Sequence, residues 1–248
     1  MTVSFDPSVA RAGHPAHPGK AAHAGFLVGS TTPAAVPQVY AQALDGERCW
    51  VSGLGLASQP LPLARWCGQA DSSDRAVLER CLSPTIDLGC GPGRMAEQLA
   101  RDGVAVLGVD VVLEAVHRAR ARGVDVVHAD VFGTLPGEGT WSSALLADGN
   151  IGIGGDPVRL LRRVQRLLAP EGQVVVDLAP PGAGLRVGLV RLTVEGRESC
   201  GFPWAVLGAD AVTDVASSAG LEVTALHEYD GRWFAVLAGP EVPAPCLS

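Results

Sequence analysis

The sequence contains no C-x-x-C pair, and its six cysteines (Cys49, Cys67, Cys81, Cys90, Cys200 and Cys246) sit beside no histidine cluster of zinc-binding spacing. Neither a metal site nor a disulfide framework is expected, and reduced thiols point to the cytoplasm. Positive charge is also scarce. Nineteen basic residues face 26 acidic ones, a net charge of −7, which argues against nucleic acid as a partner. Only Lys20 of the basic residues is a lysine, which we read as compositional bias. Every apolar run is cut within a few residues by charge, Gly or Pro, and the opening Met-Thr-Val-Ser-Phe-Asp-Pro has no basic flank or apolar stretch. No membrane span and no export signal are therefore expected. The oligomeric state is not legible.

What is present is a globular composition, 47% hydrophobic and 18% charged over 248 residues, with 31 Gly and 18 Pro spread along the chain. That suits a turn-rich α/β protein. Residues 1–35 are rich in Ala, Gly, Pro and His and read as a flexible lead-in; His14, His17 and His23 there have no cysteine or carboxylate cluster beside them and are assigned no metal. Residues 36–83 read as a small cap, with a helix over Val36–Leu44 and a hairpin or irregular segment from Cys49 to Trp66.

From 84 to 239 the pattern alternates cleanly. Strands are expected at 85–88, 104–109, 124–128, 143–146 and 173–178, with helices at 92–101, 112–122 and 157–168 between them. Asp156 and Pro157 are a helix-start signal, and Arg159, Arg162, Arg163 and Arg166 read as that helix's solvated face. A β-like segment (186–194), a short helix (210–219) and two strands (221–229 and 232–238) joined by Asp230-Gly231 complete the domain, followed by a tail at 240–248. The fold class is α/β: a Rossmann-like, doubly wound, mainly parallel seven-stranded sheet with an antiparallel C-terminal hairpin and a small N-terminal helix/hairpin cap.

The most informative run is Thr85-Ile86-Asp87-Leu88-Gly89-Cys90-Gly91-Pro92-Gly93-Arg94, a strand entering a glycine loop that opens a helix. Backbone can approach a ligand closely there, and the helix start offers unpaired N–H groups. A dinucleotide fingerprint would need a glycine where Arg94 stands, and Asp87 would crowd a pyrophosphate, so NAD fits poorly; Gly-Lys-Ser/Thr is absent, so a Walker-type nucleotide fits no better.

Asp-x-Gly-x-Gly-x-Gly closing a first strand resembles motif I of the class I S-adenosylmethionine (SAM)-dependent methyltransferases, and the resemblance spans Pro84 to Gly239. It implies SAM as cofactor and S-adenosylhomocysteine (SAH) as product. It places Asp87, Gly89, Cys90, Gly91 and Gly93 around the cofactor, Asp110 on the ribose hydroxyls with Val111 beside it, and Asp130 on the adenine amino group with Val131 or Phe132 against the ring. A carboxylate can accept from both ribose hydroxyls.

In the loop Asp148-Gly149-Asn150-Ile151-Gly152 after the fourth strand, Asp148 is taken as a cofactor contact and Asn150 as an acceptor contact; the other reading is a glycine-rich turn capped by its own Asp and Asn. The loop has neither the Asn/Asp-Pro-Pro-aromatic nor the Pro-Cys of nucleic-acid methyltransferases, so the resemblance implies a small-molecule acceptor, methylated on oxygen or nitrogen. Tyr40, Trp66, Phe202 and Trp204 are either walls of an acceptor pocket or packing for the cap. His128 and His227 could serve as bases but also suit structural places, and no catalytic base is assigned. A non-catalytic SAM-binding module and a nicotinamide oxidoreductase are the competing functions.

Overall fold

The structure is a computed structural model describing residues 34–240. The expectations for most of the lead-in, including His14, His17 and His23, and for nearly all of the tail lie outside the described residues. In chain order the elements are α1 (Val36–Leu44), β1 (Cys49–Gly53), β2 (Leu56–Pro60), α2 (Leu63–Trp66), α3 (Ser72–Leu78), β3 (Thr85–Leu88), α4 (Arg94–Arg101), β4 (Val106–Asp110), α5 (Leu113–Ala121), β5 (Val126–His128) and β6 (Trp141–Leu146). A short 3-10 segment (Asn150–Gly155) follows, then α6 (Pro157–Gln165), β7 (Leu168–Leu178), β8 (Leu185–Val194), β9 (Arg197–Glu198), β10 (Phe202–Leu207), α7 (Val212–Ala219), β11 (Glu222–Tyr229) and β12 (Arg232–Ala238).

The main sheet has seven strands in the order β11-β12-β7-β6-β3-β4-β5. From β7 to β5 neighbours run parallel, and β12 is antiparallel to both β7 and β11. Central strands are covered on both faces, so β3 is buried at every residue and Val174, Val175 and Val176 of β7 are fully enclosed. The reversal of β12 is made at Asp230-Gly231, where both residues take positive φ, 51° and 79°, as a two-residue hairpin turn of the right twist requires. The expected α/β class and sheet are what the chain forms.

A second, antiparallel sheet has the order β10-β8-β1-β2, with β9 on β8. Here the structure departs from the expected division at residue 83. β1 of the cap pairs with β8, aligning Cys49 with Val194, and β8 pairs with β9 and β10, so the cap's sheet takes three strands from within the 84–239 stretch. Its inward face, Val51, Val190, Leu192, Val194, Trp204 and Val206, packs with Val39, Tyr40 and Ala43 of α1 and Val112 and Ala115 beside and in α5. Conversely α3 belongs with the main sheet: Val77 and Leu78 pack against Met95, Leu99, Val175 and Phe234. This helix starts with a reciprocal capping box in which the Asp71 side chain accepts from the Asp74 N–H and the Asp74 side chain accepts from the Asp71 N–H.

Two further readings are corrected. β7 begins at Leu168 because a register irregularity between the Trp141 and Ser143 pairings absorbs the Pro170-Glu171-Gly172 turn within the strand. Arg163 is not on a solvated face. It is buried, donating to the carbonyls of Val131 and Gly133 and pairing with Glu138.

Because the second sheet shares its core with α1 and α5, it should unfold with the main sheet. Leu192→Ala is expected to lower stability by about 3 kcal/mol in a single urea transition; a two-step transition with an unmoved main midpoint would contradict this.

Candidate functional site

The site lies at the C-terminal ends of the parallel strands, where such sheets leave a crevice. After β3 the chain makes its glycine loop, with Gly89, Gly91 and Gly93 all at positive φ. At Gly89 there is also no room for a side chain: a Cβ would lie 2.7 Å from the Asn150 Nδ2. That amide donates to the carbonyls of Leu88 and Gly89, both at 2.9 Å, and so pins the loop to the segment after β6. From the other side Asp110 braces it, Oδ2 accepting from the Gly91 N–H at 2.9 Å and Oδ1 from the Val112 N–H at 2.8 Å.

Three spaces follow one another along this edge. An apolar slot of about 270 Å³ lies between Val111, Val131 and Phe132 on one side and Ile153, Pro203 and Trp204 on the other, with Asp110 and Asp130 in its wall. A narrow crevice beside the glycine loop holds Asp87, Cys90, Gly91, Arg94 and Asn150 and shares Gly89 with the slot. A cavity of about 540 Å³ lies beyond, sharing Trp66 and Asp148 with the crevice and floored by Leu178, Pro180 and Val206.

A buried charge network frames the crevice and the large cavity. Asp74, with no exposed surface, pairs with Arg94, Arg232 and Arg65, the last at 2.8 Å. Arg94 also holds Asp148, and Arg232 holds Asp177, with its Nε 3.0 Å from Oδ1. Asp148, at φ 51°, donates its N–H to Asp177 Oδ2 at 2.6 Å. Burial alone pushes the Asp74 carboxyl up, yet Arg94 and Arg232 hold it well below the usual carboxylate range. Asp87 is different. Burial raises its carboxyl to about 7; Asp148 and Asp110 add to the rise, Arg94 opposes it, and its Oδ2 is buried without a hydrogen-bond partner.

Of the residues singled out from the sequence, Asp87, Gly89, Cys90, Gly91, Asp110, Val111, Asp130, Val131 and Asp148 line these spaces. Gly93 sits behind the loop, where a Cβ would meet Ala119 at 2.9 Å. Asp130 accepts from the Phe132 N–H through Oδ1. The three residues expected to contact an acceptor are placed as follows. Tyr40 is fully buried in the cap core, 6.3 Å from the Trp66 ring, and borders none of these spaces. Asn150 serves the glycine loop, and Trp204 faces the apolar slot rather than the large cavity. Trp66 does border the large cavity, whereas Phe202 lines the slot. His128 contacts the Val111 carbonyl through Nε2 at 2.9 Å, and His227 stands 5.1 Å from the Phe234 ring. Arg65, Asp71, Asp74, Asp177 and Arg232 were missed; a lone carboxylate in the otherwise apolar run Val174–Leu178 was the signal available for Asp177.

Residues 86–172 match the model of a family described as "Methyltransferase domain". A trans-aconitate 2-methyltransferase of Paracidovorax citrulli is 32% identical over 100 residues, covering 39% of this chain and 38% of that protein. The chain thus matches little more than a third of that curated relative's length. Among solved structures, a SAM-dependent methyltransferase from Bacteroides fragilis in complex with SAH superposes with TM-score 0.69 at 18% identity, over 82% of this chain and 94% of that one. The Burkholderia thailandensis 1,6-didemethyltoxoflavin-N1-methyltransferase gives TM-score 0.53 at 16% identity, over 88% and 99%. The fold is that of the Rossmann-like methyltransferases. The matched domain and the fold are both consistent with the class I SAM-dependent methyltransferases.

The native Asp87 keeps a proton that the unfolded chain, with an ordinary carboxyl, has lost between about pH 4 and pH 7. Stability is therefore expected to fall as pH rises through that window and to level off above it. Asp87→Asn should flatten this slope and stabilise the ligand-free protein at pH 8, as read from urea midpoints at pH 5 and pH 8. Identical slopes in variant and wild type would refute the assignment.

Proposed function

We propose that this chain is a SAM-dependent methyltransferase acting on oxygen or nitrogen of a small molecule, in the cytoplasm. The observation that carries the reading is the row of three spaces, in which the glycine-loop crevice touches the apolar slot at Gly89 and the large cavity at Trp66 and Asp148. A cofactor seated in the slot with its sulfonium end near Gly89 would meet an acceptor in the large cavity, provided the crevice, about 10 Å³ in this structure, widens to admit the amino-acid group.

The residues suit SAM on physical grounds. The slot offers apolar walls and two carboxylates, as an adenosine requires: Asp110 for the ribose hydroxyls, and Asp130, Val111, Val131 and Phe132 for the base. Phe132 is held in place by the Arg159 guanidinium 4.3 Å from its ring centroid. In the crevice, the buried Asp87 Oδ2 and Asn150 Oδ1 have no partner in the protein, and such atoms are costly unless a ligand donates to them. They would face the amino-acid end of the cofactor together with Gly89, Cys90 and Gly91. SAM supplies an electrophilic methyl group on a sulfonium.

The chain's own contribution is alignment and exclusion of water. Trp66 and Asp148 form the boundary between crevice and cavity, and Asp148 is fixed there by Arg94 through its carboxylate and by Asp177 through its N–H. A burial-raised thiol well above its ordinary value keeps Cys90 a neutral wall residue rather than a nucleophile.

Calorimetric titration with SAH is expected to give saturable binding that Asp110→Ala weakens by about tenfold to a hundredfold, since two backbone N–H groups lose their acceptor along with the ligand. NAD should not bind. Absence of SAH binding by the wild-type protein would overturn the proposal.

A further inference from the structure

We propose that the large cavity beyond Trp66 and Asp148 is the acceptor subsite and that it recognises a small molecule through a basic amine in its ammonium form, the methylated oxygen or nitrogen being a separate, unprotonated atom of that molecule. This rests on the methyltransferase reading given above and narrows it to one class of acceptor.

The cavity wall carries more negative than positive charge. Four carboxylates line it, Asp71, Asp148, Asp177 and Asp230, against two guanidinium groups, Arg65 and Arg232. Asp74 and Arg94 lie behind the wall and cancel, leaving an excess of negative charge. The two arginines are also already engaged: Arg65 by Asp71 at 3.0 Å and by Asp74, Arg232 by Asp74 and Asp177. An acceptor bearing carboxylates would have to break these pairs and then meet the remaining repulsion. An ammonium group offsets the excess without disturbing any pair.

The cavity is more than an acidic cluster. Its volume, about 540 Å³, is that of a small-molecule site, and part of its surface is apolar. Trp66, only 3% exposed, borders it and has a buried indole N–H with no hydrogen-bond partner in the protein. The same side chain borders the crevice, so a molecule against it sits next to the proposed cofactor site.

The test uses three probes of equal body and different head group on SAH-saturated protein: phenethylamine, phenethyl alcohol and 3-phenylpropionate, with affinities from ligand-observed NMR at pH 7.5. The amine is expected to bind about tenfold more tightly than the carboxylate, with the alcohol between. In an Asp71→Asn, Asp230→Asn double variant the preference should collapse. Asparagine keeps both the helix cap at 71 and the left-handed turn at 230, and retained SAH binding would show the variant folded. Equal or tighter carboxylate binding, no probe binding at all, or an unchanged preference in the folded double variant would each overturn the proposal. SAH calorimetry on the same sample separates the failures: without SAH binding the methyltransferase reading falls and takes this with it, whereas SAH binding without an amine preference overturns the amine class alone.

Discussion

Asp74 is the residue on which the remaining architecture turns. It has no exposed surface yet meets three guanidinium groups: Arg65 on the preceding helix, Arg94 at the start of the helix after the glycine loop, and Arg232 beyond the final hairpin turn. Buried charges are expensive to desolvate and repay that cost only when every member finds its partner. The network therefore behaves as a unit, welding α3 to the main sheet and holding Asp148 and Asp177 in fixed places. Asp87 lies next to this network without a hydrogen-bonded guanidinium of its own, which is why burial dominates its protonation.

The three spaces owe their alignment to topology. Parallel strands deliver all their following loops to one edge, so the turns after β3, β4, β5, β6 and β7 converge without special arrangement. The second sheet supplies the opposing wall. Gly152 shows how close it comes: a Cβ there would sit 2.1 Å from the Ala205 carbonyl oxygen, so the segment after β6 lies flush against β10. Along the row the chemistry changes from apolar, to buried and partly unsatisfied, to strongly charged.

Much of this was legible where the signal is local. Asp230-Gly231, the glycine loop after Asp87, and Asp156-Pro157 at the start of α6 each announce themselves within a few residues, and the main sheet followed from them. What escaped depends on partners far away in the chain. Nothing in Arg186–Val194 says that its mate is Cys49–Gly53, and an arginine such as Arg163 is indistinguishable from its exposed neighbours until the carbonyls of Val131 and Gly133 are brought to it. The acceptor side suffered most. Aromatic residues were a natural guess for a pocket, but Tyr40 is buried in the cap and Trp204 lines the apolar slot, while the large cavity gathers aspartates and arginines beside Trp66, Leu178 and Val206. The α3 cap was readable, since Asp71-Ser-Ser-Asp74 has capping-box spacing, and was overlooked because no amphipathic run follows it for more than two turns.

The pairing of β1 with β8 also orders the events of folding. The strand Cys49–Gly53 leaves the ribosome first, but the strand it lies against follows all five parallel strands of the main sheet. Bringing such distant segments together carries a loop-closure cost that shrinks only once the intervening chain has compacted. The five parallel strands thus emerge before the roof can close, and until β8 and β10 arrive the β1–β2 hairpin has an unpaired edge, the kind of surface chaperones shield during synthesis.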